Sequence, residues 1–339
     1  MVVLAFVVCL TVVVLVAVRG GHGPSVSPPS TTAPLSQRHP SATPRFAVGT
    51  LTMTLTEPAV PGGAARSLPT TVRYPALGSA GSPDRALAVP DRNGGPYPLI
   101  VFSEGYDIDP ETYAPLLDAW ATAGYVVADP VYPFTAPSSP GGLMRSDIVN
   151  HPDDLRFVVT SMIEEGATPG STLAGIVTSH EVGVIGHSDG GDVSLAVASN
   201  SCCRDRRVKA VVVLSGAELA AFPGAYFSPP AVPMLVVQGT DDDINPPSCS
   251  VQLYNQAPQP KYYLSMAGQT HTSAYTQAGE PLSIVATVTI NFLNKYLKNA
   301  KVAPGVLVND GTVPGLSSLT QASSVPPDDQ PCPNAPTGP

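Results

Sequence analysis

Short apolar runs recur along the chain, separated by stretches in which apolar residues return every three or four positions. The runs near 48–56, 70–74, 99–103, 125–128, 182–187, 208–214, 233–238 and 261–265 have the length and β-branched content of strands. Helices are predicted over 111–123, 153–165, 189–199 and 282–298. Alternating strands and helices predict an α/β fold with a mostly parallel central sheet flanked by helices. No internal repeat is visible. The insert between the runs at 208–214 and 233–238 is short, so a large lid is not expected and the cleft should be open.

The pattern ends before the chain does. Residues 1–18 are almost wholly apolar, a length that suits a secretory core or a minimal membrane span. A cleaved signal peptide and an uncleaved anchor both stay open. Residues 19–45 are rich in Pro, Ser and Thr and read as a disordered linker. The α/β domain is placed at 46–300. The tail, 301–339, is rich in Pro, Ser and Gly and is expected to drape or dangle.

One strand runs into an unusual turn. Val182-Gly183-Val184-Ile185-Gly186 continues as His187-Ser188-Asp189-Gly190, a G-x-S-x-G sequence between an apolar strand and a helix. Such a turn lifts the serine oxygen above the sheet, and its glycines let backbone segments approach where a Cβ would clash. The amide after the serine, Asp189 N–H, points at a reacting carbonyl oxygen. A serine hydroxyl becomes a nucleophile when an imidazole takes its proton, and a carboxylate fixes that imidazole's tautomer.

An acid and then a histidine must therefore follow. The run at 233–238 ends in Gly239-Thr240-Asp241-Asp242-Asp243-Ile244-Asn245-Pro246. The run at 261–265 is followed by Ala267-Gly268-Gln269-Thr270-His271. Of six histidines, His271 alone lies beyond the acids, which makes it the candidate base. Asp242, four residues before Pro246, is the candidate carboxylate. Asp241 and Asp243 read as solvated or capping residues.

These motifs, with Ser103-Glu104-Gly105-Tyr106, Gly124-to-Pro130 and Asp153-to-Val158, resemble the α/β-hydrolase family over about 46–298. The resemblance is to the dienelactone-hydrolase-like branch, which contains platelet-activating-factor acetylhydrolase-like and cutinase-like polyester hydrolases. It implies a serine esterase with Ser188, Asp242 and His271 as its triad, and an oxyanion hole formed by Tyr106 N–H and Asp189 N–H. The substrate it implies is a small-molecule or polymer ester. Glu104 departs from the family, which carries a scaffold histidine there. An amidase using the same triad, and a hydrolase-fold envelope or binding protein without turnover, remain open.

Net charge is −9 with 13% charged residues, and no basic patch points to nucleic acid. The Arg204-Asp205-Arg206-Arg207 cluster carries its own acid and reads as a solvated loop. No phosphate loop or dinucleotide fingerprint is present, so no cofactor is implied; no metal-ligand spacing is seen either. Membrane contact is expected only through the first segment, and the chain is expected to be exported. Four cysteines lie outside that segment, which permits two disulfides in three pairings. If the helix after Ser188 runs to the far edge, a vicinal Cys202–Cys203 bond with Cys249–Cys332 follows, tying down the tail.

Overall fold

A computed structural model describes residues 45–59, 63–82, 84–139, 141–303, 305–326 and 332. The apolar segment 1–18, and the linker except for Arg45, lie outside the described residues. The strands are β1 (Ala47–Glu57), β2 (Arg66–Ala76), β3 (Arg85–Ala86), β4 (Tyr97–Ser103), β5 (Val126–Pro130), β6 (Val177–His187), β7 (Val208–Leu214), β8 (Met234–Gly239), β9 (Lys261–Met266) and β10 (Ser317–Thr320). The helices are α1 (Ala114–Thr122), α2 (His151–Ala167), α3 (Asp189–Ser199), α4 (Pro247–Gln256), α5 (Ser273–Thr276), α6 (Glu280–Leu297) and α7 (Val306–Asp310).

The strands form one sheet in the order β10-β9-β8-β7-β6-β4-β5-β2-β1-β3. From β5 to β9 the pairing is parallel throughout. An antiparallel β1–β2 hairpin extends one side and β10 closes the other. The central strands are continuous apolar runs because both of their faces are covered. Leu99 and Val101 of β4 pack with α2 and α3, while Ile100 and Phe102 pack with α1 and α6. Alternate residues thus feed two cores, one on each face of the sheet.

All eight expected strands are present, as are the four expected helices with ends shifted by a few residues. The pattern missed α4, whose start reads as a proline breaker. Pro247 occupies the first turn, where its missing N–H costs nothing.

The expectation of a draped or dangling tail is corrected for 305–326. Leu307, Val313 and Leu319 are buried, and β10 pairs with β9 from Ser317↔Met266 to Thr320↔Tyr263. The apolar residues that do this are too sparse among Pro, Gly and Ser to give a period. Beyond β10, Asn255 of α4 exchanges two hydrogen bonds with the Val325 backbone. Disulfides join Cys202 to Cys203 and Cys249 to Cys332, the pairing favoured above. Between β7 and β8 the chain forms no helix or strand. Among the described residues no helix is long and apolar enough to cross a membrane.

Candidate active site

The parallel strands end together on one edge of the sheet, where loops after β4, β6, β8 and β9 meet. Ser188 sits between β6 and α3 with φ 53° and ψ −126°, a strained backbone for a residue with a side chain. The turn closes only because its flanks are glycines. A Cβ on Gly186 would lie 2.0 Å from the Gly190 carbonyl oxygen, and one on Gly190 would lie 2.2 Å from that of Ser103. That second approach also seats the β4 turn against Ser188. A Cβ on Gly105 would lie 3.2 Å from the Ser188 Cβ.

The carboxylate of Asp242 faces His271, whose Nδ1 lies 3.0 and 2.9 Å from its two oxygens. A carboxylate only accepts, so Nδ1 carries a proton, which leaves Nε2 as the nitrogen with the free lone pair in the neutral tautomer. Asp242 also accepts the N–H groups of Ile244 and Asn245 at 3.1 and 2.9 Å, and Gln238 Nε2 at 3.1 Å. Burial pushes its pKa up, but the bond and charge of His271 and the Asn245 N–H outweigh that and hold it below the ordinary carboxylate value. Asp241 and Asp243 are exposed. The acid and base loops are tied directly: Asp241 N–H donates to the Gln269 carbonyl at 3.0 Å and Gly268 N–H to Thr240 Oγ1 at 2.8 Å.

Asp242 and His271 are thus brought together, while no hydrogen bond joins Ser188 Oγ to His271 among the described residues. Their backbones are linked through His187, which the sequence reading passed over. His187 Nε2 lies 2.7 Å from the His271 carbonyl, an acceptor, so it must carry the proton. Nδ1 then accepts from the Tyr113 hydroxyl at 2.7 Å, and that hydroxyl accepts the Gly105 N–H at 3.4 Å. Burial, followed by repulsion from His271, lowers the His187 pKa to about 3 and keeps the ring neutral. One buried chain of bonds therefore runs from the β4 turn, through the residue before Ser188, to the backbone of His271.

Across from this lies the β4 turn. Asp189 opens α3, so its N–H has no partner within the helix. No protein acceptor takes the Tyr106 N–H among the described residues. Glu104 points inward, with Oε1 accepting the Tyr132 N–H at 3.0 Å and Oε2 buried without a hydrogen-bond partner. Burial raises its pKa to about 8, with Asp129 and Asp109 adding to the effect.

Residues 141–307, which include the elbow, acid and base loops, match the family model of PETase, described as PET hydrolase-like. A solved ferulic acid esterase from Streptomyces cinnamoneus superposes with a TM-score of 0.59 at 24% identity, over 78% of this chain and 94% of that one. The chain has the α/β-hydrolase fold. The family match sets the hydrolase among the carboxylic ester hydrolases. No curated protein gives a significant match.

Sequence reasoning about the hydrolase also missed Arg145. Its Nε and Nη2 lie 2.7 and 2.6 Å from the Asp189 carboxylate oxygens, and its guanidinium stands 5.8 Å from the Tyr106 ring centre. A lone arginine in a glycine-rich loop, more than forty residues before its partner, gives no spacing signal.

Proposed function

We propose that the hydrolase cleaves carboxylic esters through an acyl-enzyme on Ser188. His271 Nε2 takes the Ser188 proton as Oγ attacks the ester carbonyl. Asp242 holds the imidazole tautomer and stabilises the imidazolium that forms. The N–H groups of Tyr106 and Asp189 receive the charge on the tetrahedral oxygen. Collapse expels the alcohol, which His271 protonates. Water, activated by the same imidazole, then releases the acid. The Ser188–His271 bond forms in the substrate complex, as catalytic hydrogen bonds commonly tighten there.

The observation that carries this reading is the strained Ser188 backbone beside the paired His271 and Asp242. Exposed Leu143 and Met144, before α2, and exposed Ile244, beside Asp242, support an ester with an apolar body, and the PET hydrolase-like match supports a polymer end as one such substrate. Two disulfides and the apolar segment at 1–18 support an exported or envelope-anchored protein.

The test is hydrolysis of p-nitrophenyl esters of graded acyl length by the full chain, beside Ser188→Ala. Turnover should fall on the order of 10⁴–10⁶-fold in the variant. A fluorophosphonate should label Ser188 in the wild type only. A wild type that neither turns over nor labels sinks the acyl-transfer reading and leaves a binding protein with a hydrolase fold.

A further inference from the structure

Asp189 carries a side chain that acyl transfer does not use and that works against it. Its N–H is one of the two groups proposed above for the oxyanion, yet its carboxylate hangs from the same residue. A negative charge that close to a developing oxyanion repels it, the more strongly for being shielded from water. The side chain of Asp189 is only 5% exposed. Among the described residues, Arg145 is the only group that hydrogen-bonds its carboxylate. Asp192, one turn along α3, adds a second buried carboxyl, bonded to the Ala217 N–H.

Arg145 reaches both sides of the proposed hole. Its planar fork meets the two Asp189 oxygens in parallel, the strong geometry for an arginine–carboxylate pair. Its other contact is the face of the Tyr106 ring, the side chain of the second proposed donor residue. A pair with one member buried and two parallel bonds differs from a solvated surface pair, which contributes little. Removing the arginine leaves a buried charge uncompensated.

We propose that Arg145 is a positioning residue for the oxyanion hole: it cancels the Asp189 charge beside the reacting oxygen and holds the Tyr106 turn. It touches no reacting atom. The inference rests on the acyl-transfer reading of Ser188.

The test measures kcat and KM on a p-nitrophenyl ester for the full chain and for R145Q, R145K, D189N and R145Q/D189N, with fluorophosphonate labelling of Ser188 alongside. R145Q should lower kcat about 10–100-fold with KM within about threefold, since the lost stabilisation belongs to the transition state. R145K keeps the charge without the fork and should lose less. D189N should also cost less than R145Q, and the double variant should regain kcat above R145Q, because the charge needing cancellation is gone. A clamp with a purely structural role predicts a double variant no better than R145Q.

An R145Q variant within twofold of wild type overturns the inference while Ser188 still labels. So does a double variant no better than R145Q, or an R145K variant worse than R145Q. Should R145Q fail to fold, R145K decides the matter: kcat reduced with KM kept supports the inference, and unreduced kcat in R145K overturns it. A wild type that does not label at Ser188 overturns the acyl-transfer reading and this inference with it.

Discussion

The loops after β8 and β9 hold Asp242 and His271 with short hydrogen bonds to one another and to nearby backbone, whereas the β4 turn and the loop before α2 are held by acids and an arginine. On the first side, Asp242 takes bonds from His271, Gln238 and two backbone N–H groups within its own turn. On the second, Glu104 is buried with one oxygen unpartnered, and Arg145 bridges Asp189 and the Tyr106 ring. The difference teaches where each side's robustness comes from. Local backbone bonds form whenever the turn forms. Buried charges depend on a partner supplied from elsewhere in the chain, and they cost several kcal/mol when that partner is lost.

The sharpest way to break the comparison is on the acid side. Asp242→Asn keeps the shape of the turn but offers His271 Nδ1 the wrong partner, and should lower kcat about 10³–10⁴-fold. Asp241→Asn and Asp243→Asn, on exposed neighbours, should stay within about twofold. Steady-state kinetics on the three variants checks this; a comparable loss in either neighbour would mean that the turn, rather than one carboxylate, serves the imidazole.

A smaller effect sharpens the link between the two sides. Tyr113→Phe removes the hydroxyl that joins the Gly105 N–H to His187 Nδ1. It should reduce kcat several-fold with KM little changed and cost about 1 kcal/mol of stability. Chemical denaturation together with kinetics measures both, and unchanged kcat would show that the chain of bonds supports the fold alone.

The smallest effect concerns Glu104 and is read from stability. Its pKa in the folded chain, about 8, lies above the ordinary 4.5. Between those values the folded protein keeps a proton that the unfolded chain has lost, so this group's contribution to stability declines as pH rises through that window and levels off above about 8. E104Q cannot titrate, so its melting temperature should gain on that of the wild type as pH rises across the window. Parallel curves would mean that Glu104 is ionised in the fold.

Much of the molecule was legible before folding. The eight strands and four helices follow from periodicity, because a strand covered on both faces must be apolar throughout and a flanking helix must keep one apolar stripe. Ser188 is legible because only glycine fits at 186 and 190, so the turn writes itself into the sequence. Asp242 and His271 are legible as residues following strands in the expected order. β10 and α7 were hidden, since a few apolar residues suffice to add a strand to an existing edge and leave no period among prolines and serines.

What the sequence determined by itself is whatever local rules enforce: strand and helix periods, the glycines of the elbow, and the order of serine, acid and histidine. The tertiary structure alone decided which distant groups meet. It joined Tyr113 to His187, separated by 74 positions, and Arg145 to Asp189, separated by 44. It also sent Glu104 inward, where water is excluded and its proton is retained. The physical reason is that hydrogen-bond geometry and charge compensation act at contact distance in space, and sequence spacing records contact only within one turn, one strand or one helix.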